Sequence, residues 1–94
     1  MNANDMNDLD LLIKLSLNNN LSKSEMNVVF FTWKKQRTSA EVTSYLRWAA
    51  PNVARLLLSM TNKGLLTRVL ESDKKSYLYL ANRNSKLITQ NMND

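Results

Sequence analysis

One glycine, Gly64, divides this chain into two parts that repeat at different periods. Before it, apolar residues recur at helical spacing. After it, Leu66–Leu70 and Ser76–Leu80 alternate as strands do, joined by the polar tip Glu-Ser-Asp-Lys-Lys. The expected fold is therefore mainly α with a small β-hairpin at its end. Gly64 follows Lys63, where a left-handed residue just past a helix terminus stops the helix. Proline also occurs once. Pro51 suits a first helical turn, because the N–H it lacks has no partner there.

With so little punctuation, the other boundaries have to come from caps. Asp8–Leu17 reads as a helix with acids in its first turn, which the helix dipole favours. Its Leu9, Leu12, Ile13 and Leu17 share one face, expected to meet the core. Leu11 and Leu15 lie opposite, so the helix is apolar nearly all round, and a second copy of the chain is the expected cover for them. Ser22 and Glu25 form a capping box, with Leu21 placed to staple onto Met26. The helix they open is expected to reach Lys35, with Met26, Val29, Phe30 and Trp33 on its inner face. Thr38 and Glu41 form a second capping box before a short helix whose core positions are Val42, Tyr45 and Leu46. Trp48, in the turn that follows, is expected to plug the core. The expected division is an N-terminal helical segment 1–20, a central unit 21–81 and a polar tail 82–94, frayed or disordered.

The chain has no cysteine and no histidine, which removes disulfides, thiolate chemistry and the commonest general base and zinc ligand. Its carboxylates lie in caps or loose pairs rather than a cleft, so no enzyme, metal or cofactor is expected. No apolar run approaches about 18 residues and no basic-then-apolar leader is present, so a soluble, cytoplasmic protein without a membrane role is expected. The net charge of +5 is lopsided. Residues 1–33 carry Lys14 and Lys23 against Asp5, Asp8, Asp10 and Glu25, a net of −2, whereas residues 34–94 carry +7. Two readings stand for the basic part: a face built for a polyanion, or an ordinary solvated surface.

The run Ala-Ala-Pro-Asn-Val-Ala-Arg-Leu-Leu-Leu-Ser-Met, residues 49–60, favours the first. With about 100° per residue and Val53 at zero, Leu56, Leu57 and Met60 fall within about 60° of it and make a core stripe. Arg55 falls about 200° away, on an outer face with Asn52, Ser59 and Asn62. A short capped helix, a turn and a longer helix with a polar outer face form a helix-turn-helix, whose second helix enters the DNA major groove. There, arginine can reach guanine O6 and N7, and asparagine can reach adenine N6 and N7. Ala50, Pro51, Asn52, Ala54, Arg55, Leu58, Ser59 and Asn62 are the candidate groove-facing positions. Leu58 has two readings, contact with a thymine methyl group or contact with another protein. The hairpin would act as a wing bearing Arg68, Asp73, Lys74 and Lys75. Lys34, Lys35, Arg37, Thr38, Ser39 and Arg47 are candidate phosphate contacts.

The stretch Thr-Ser-Ala-Glu-Val-Thr-Ser-Tyr-Leu through Lys-Gly-Leu-Leu-Thr-Arg, residues 38–68, resembles the winged helix-turn-helix signature of the MarR family of bacterial regulators. Thr38, Glu41 and Leu46 match its first helix. Val53, Arg55, Leu56, Leu57 and Met60 match its recognition helix, Lys63–Leu66 its exit and Asp73–Lys75 its wing tip. The resemblance covers about two-thirds of the chain. It implies a dimeric, cytoplasmic transcriptional regulator that binds double-stranded DNA. Three departures are visible: Leu58 stands where that family has a polar residue, the wing is shorter, and the long C-terminal helix is reduced to a stub. The family's small-molecule pocket is not carried over, because it depends on those long terminal helices.

Overall fold

The structure, a computed structural model, describes residues 7–73 and 75–90. Along the chain run α1 (Asp8–Ser16), α2 (Lys23–Phe31), β1 (Arg37–Thr38), α3 (Ser39–Leu46), α4 (Ala50–Asn62), β2 (Leu66–Leu70), β3 (Tyr77–Ala81) and α5 (Lys86–Thr89). The three strands form one antiparallel sheet in the order β1-β3-β2. The result is a small α+β domain, and the hairpin is a three-stranded sheet rather than a lone pair. β1 escapes sequence reading because two residues are too few to show alternation.

Both predicted capping boxes form. Ser22 Oγ accepts from the Glu25 N–H while Glu25 Oε1 accepts from the Ser22 N–H, and Thr38 and Glu41 do the same for α3. Asn7 caps α1 by accepting from the Asp10 N–H. The exit of α4 is a Schellman turn. The Leu65 N–H donates to Met60 O at 2.9 Å and the Gly64 N–H to Thr61 O at 3.1 Å. Gly64 sits at φ 79°, and the buried pair Met60 and Leu65 closes the motif. The turn between α3 and α4 also uses a left-handed residue, Arg47 at φ 58°.

The core gathers Leu11, Leu15, Val28, Val29, Trp33, Val42, Val53, Leu57, Met60, Leu65, Leu66, Tyr79, Ala81 and Ile88 into one cluster. This corrects the faces of α1. Leu11 and Leu15 are each 1% exposed and pack inside their own chain, while Leu9, Leu12, Ile13 and Leu17 face outward. An all-round apolar helix supplies two usable stripes, and periodicity alone does not say which one the chain takes for itself.

The expected segments 1–20, 21–81 and 82–94 likewise share this core across the described residues, since Ile88 in α5 is fully buried. The polar neighbours that disguised the tail are its fasteners. Asn18, itself buried, donates from Nδ2 to Leu87 O at 2.7 Å and Ile88 O at 3.2 Å. Asn82 donates to Gly64 O at 2.9 Å. Arg83 donates to Trp33 O and places its guanidinium 5.1 Å from the Trp33 ring centroid.

Three further placements differ from expectation. α2 stops at Phe31 instead of reaching Lys35, and its C-cap Thr32 bonds back through Oγ1 to Val28 O. Tyr45 is half-exposed and stacks on Phe31, with centroids 4.0 Å apart and planes 4° from parallel. Trp48 lies 39% exposed and outside the core cluster, which Leu46 and Leu56 border instead.

Candidate nucleic-acid interface

The face of α4 turned away from the core is the principal candidate site. Val53, Leu57 and Met60 are buried, whereas Ala50, Pro51, Asn52, Ala54, Arg55, Leu58, Ser59 and Asn62 are all exposed. The sequence marks this division because Asn52, Arg55, Ser59 and Asn62 all fall on the outer side, while part-buried Thr61 satisfies its hydroxyl on Leu57 O. The helix begins without a side-chain cap at Ala49 and has Pro51 in its first turn, so its leading N–H groups are not consumed by a capping side chain.

Arg55 stands outward, and its Nη2 donates to Asn52 Oδ1 at 2.6 Å. The two residues are one turn apart, so Asn52 acts as a brace for the guanidinium. In this arrangement the Asn52 carbonyl oxygen is committed to Arg55 and does not join its amide in two-point adenine recognition. The brace was missed at the sequence level, although the Asn-x-x-Arg spacing carries its signal.

The hairpin carries a second cationic element. β2 and β3 pair in register from Leu66↔Ala81 to Leu70↔Tyr77. Arg68 is exposed and its guanidinium lies 4.2 Å from the Tyr77 ring centroid, so the exposed ring of Tyr77 holds the cation against the sheet. Asp73 accepts from the Lys75 N–H at 2.9 Å and thus shapes the tip rather than presenting itself to an anion. Ser76 Oγ donates to Glu71 Oε2 at 2.8 Å across the base of the tip. Lys75 is exposed, and Lys74 lies outside the described residues.

The six candidate phosphate contacts separate. Lys35, Ser39 and Arg47 are exposed. Lys34 forms an ion pair with Asp8 at 2.8 Å, between side chains 56% and 69% exposed, a pair that a phosphate can displace at little cost. Arg37 is turned inward. Its Nε donates to Phe31 O at 3.1 Å, its Nη1 lies 3.4 Å from Glu41 Oε2, and its guanidinium lies 4.1 Å from the Phe31 ring centroid. Arg37 therefore clamps α2 to α3 and is not a free phosphate ligand. Thr38 is spent on its cap.

Two carboxylates are perturbed. Burial pushes the Glu25 carboxyl up, but the Lys63 ammonium at 2.8 Å and the Ser22 cap together outweigh it and hold the group below the ordinary carboxylate range. Glu41 is lowered by the Thr38 N–H, assisted by Arg37. Both shifts have structural causes, a cap and an ion pair, and neither carboxylate lines the α4 outer face. Among the described residues no group of acidic side chains could hold a metal ion, and no helix is long and apolar enough to cross a membrane. Comparison with known proteins adds no neighbour: no family model, curated protein or solved structure matches the chain.

Proposed function

We propose that this chain is a MarR-like winged helix-turn-helix transcriptional regulator that binds specific double-stranded DNA as a homodimer. α4 enters the major groove, and the β2–β3 hairpin serves as a wing along the backbone or adjacent minor groove. One observation carries the reading: the whole outer face of the longest helix among the described residues is exposed, and near its centre the guanidinium of Arg55 is braced by Asn52. A guanidinium held in advance loses less conformational freedom when it meets guanine O6 and N7. Lys35, Arg47, Arg68 and Lys75 supply sequence-independent attraction to phosphates, and cytoplasmic operation follows from the same proposal.

The dimer seam is the outer stripe of α1, Leu9, Leu12 and Ile13, rather than Leu11 and Leu15.

The test is a titration of a duplex selected from a random pool, and a scrambled duplex, at two salt concentrations, with mass followed by light scattering. The proposal predicts a preference for the selected sequence and a salt slope of about −3 to −4 per chain. It also predicts a dimer that Ile13→Asp returns to monomer. Absence of duplex binding at low salt would overturn it in favour of the second reading, a protein-docking module using the exposed Leu58.

A further inference from the structure

The outer face of α4 is divided lengthwise. Asn52 and Ser59 form a polar flank on one side of Arg55, and Pro51, Ala54 and Leu58 form an apolar flank on the other. Leu58 is 50% exposed, although it is the third of three consecutive leucines whose first two turn inward. It lies outside the core cluster and turns half of its surface to solvent beside the braced arginine. In the DNA major groove the one apolar group that base edges present is the thymine C5-methyl, and the same position is bare in uracil and cytosine.

We propose that Pro51, Ala54 and Leu58 form a methyl-reading strip, with Leu58 as its principal contact, so that the preferred sequence contains a thymine close to the guanine read by Arg55. This inference rests on the DNA-binding reading above. The occupant is chosen by charge as well as by shape. The strip borders a guanidinium on a face without a carboxylate, within the part of the chain that carries a net +7, which suits a polyanion and opposes an apolar or basic protein partner. Side chains three residues apart on a helix have Cβ atoms about 5–6 Å apart. Base pairs rise by about 3.4 Å per step, so the methyl group lies one to two steps from the guanine.

The proposal makes the C5-methyl itself, not the A·T pair, the recognised feature. Replacing thymine by deoxyuridine removes only that group. Loss of one buried methyl contact corresponds to about a fourfold drop in affinity.

The experiment takes the full chain and a duplex enriched from a random pool made with thymine. Each thymine is then replaced singly by deoxyuridine. The wild type should lose about fourfold at one or two positions near the required guanine and be indifferent elsewhere. Leu58→Ala should bind the thymine duplex about as weakly as the wild type binds the deoxyuridine one, with no further loss on the deoxyuridine duplex. Leu58→Met, which keeps an apolar end, should retain sensitivity to the methyl group. Circular dichroism of the variants separates contact loss from unfolding, and the wild-type arm needs no variant at all. Selective binding that tolerates deoxyuridine at every position overturns the methyl reading while leaving the DNA reading intact. So does an equal residual penalty in Leu58→Ala. Failure to enrich any duplex removes both.

Discussion

Helices α1 and α4 both bury one face and expose the other, yet only α4 declares its faces in the sequence. In α4 the stripe of Val53, Leu57 and Met60 lies opposite Asn52, Arg55, Ser59 and Asn62, so the face that carries the polar residues is the outward one, even with Pro51, Ala54 and Leu58 along one edge of it. In α1 two apolar arcs compete, and the chain buries the narrower one, Leu11 and Leu15, leaving Leu9, Leu12, Ile13 and Leu17 outside. The broad arc is the stronger periodic signal and the wrong guide to the monomer core. A helix with apolar residues on both sides is informative about how many surfaces it must cover, not about which surface is which.

The comparison breaks most readily at the leucines. Leu15→Ala in α1 and Leu57→Ala in α4 should each cost about 2–5 kcal/mol in urea unfolding, because both side chains are fully enclosed. Leu58→Ala, on the exposed side of α4, should stay within about 0.5 kcal/mol. A large loss from Leu9→Ala in a monomeric background, with little from Leu15→Ala, would reverse the assignment of faces.

The ends of the two helices sharpen it further. α4 stops through Gly64 at φ 79°, whereas α1 ends at Leu17 in an ordinary right-handed conformation. Beyond its chain neighbours no heavy atom lies within 4 Å of a Cβ placed on Gly64, so Gly64→Ala has only backbone strain to bear and should cost about 1–2 kcal/mol by thermal melting. No comparable glycine effect exists at the end of α1.

The smallest expected difference is electrostatic. Lys63, at the end of α4, pairs with the enclosed Glu25, whereas Lys34 and Asp8 beside α1 are both open to water. Because the folded chain lowers the Glu25 pKa, the stability it lends is complete above its ordinary value near 4.5 and is lost as pH falls through the lower folded value. Lys63→Met should cost about 0.5–1 kcal/mol at neutral pH, discounted for the half-exposed ammonium, and should blunt the loss of stability below that pH. Lys34→Met should change neither, as followed by urea titration across the acid range.

What the sequence made legible follows from chemistry that repeats locally. Both capping boxes, the glycine exit and the outward Arg55 depend on residues within one turn of each other, and each could be read from spacing. What was hidden depends on partners far along the chain. Asn18 reaches the carbonyls of α5 and Arg83 reaches Trp33, partners far away in sequence, so both read as loop polarity until the tail is folded back. Arg37 belongs to the same class. Its charge suggested a phosphate, but the nearby Phe31 ring and Glu41 claim it first. The asparagine brace on Arg55 lies between these cases, local in spacing but visible only once the rotamers are known.

The most direct measurement compares wild type with Arg55→Ala on a selected duplex and on a scrambled one, by fluorescence anisotropy at fixed salt. If the braced guanidinium reads a base, the variant loses about 1–3 kcal/mol of affinity for the selected duplex, almost nothing for the scrambled one, and no folding stability. Equal weakening on both duplexes, or none on either, would contradict the claim that α4 reads sequence through this residue.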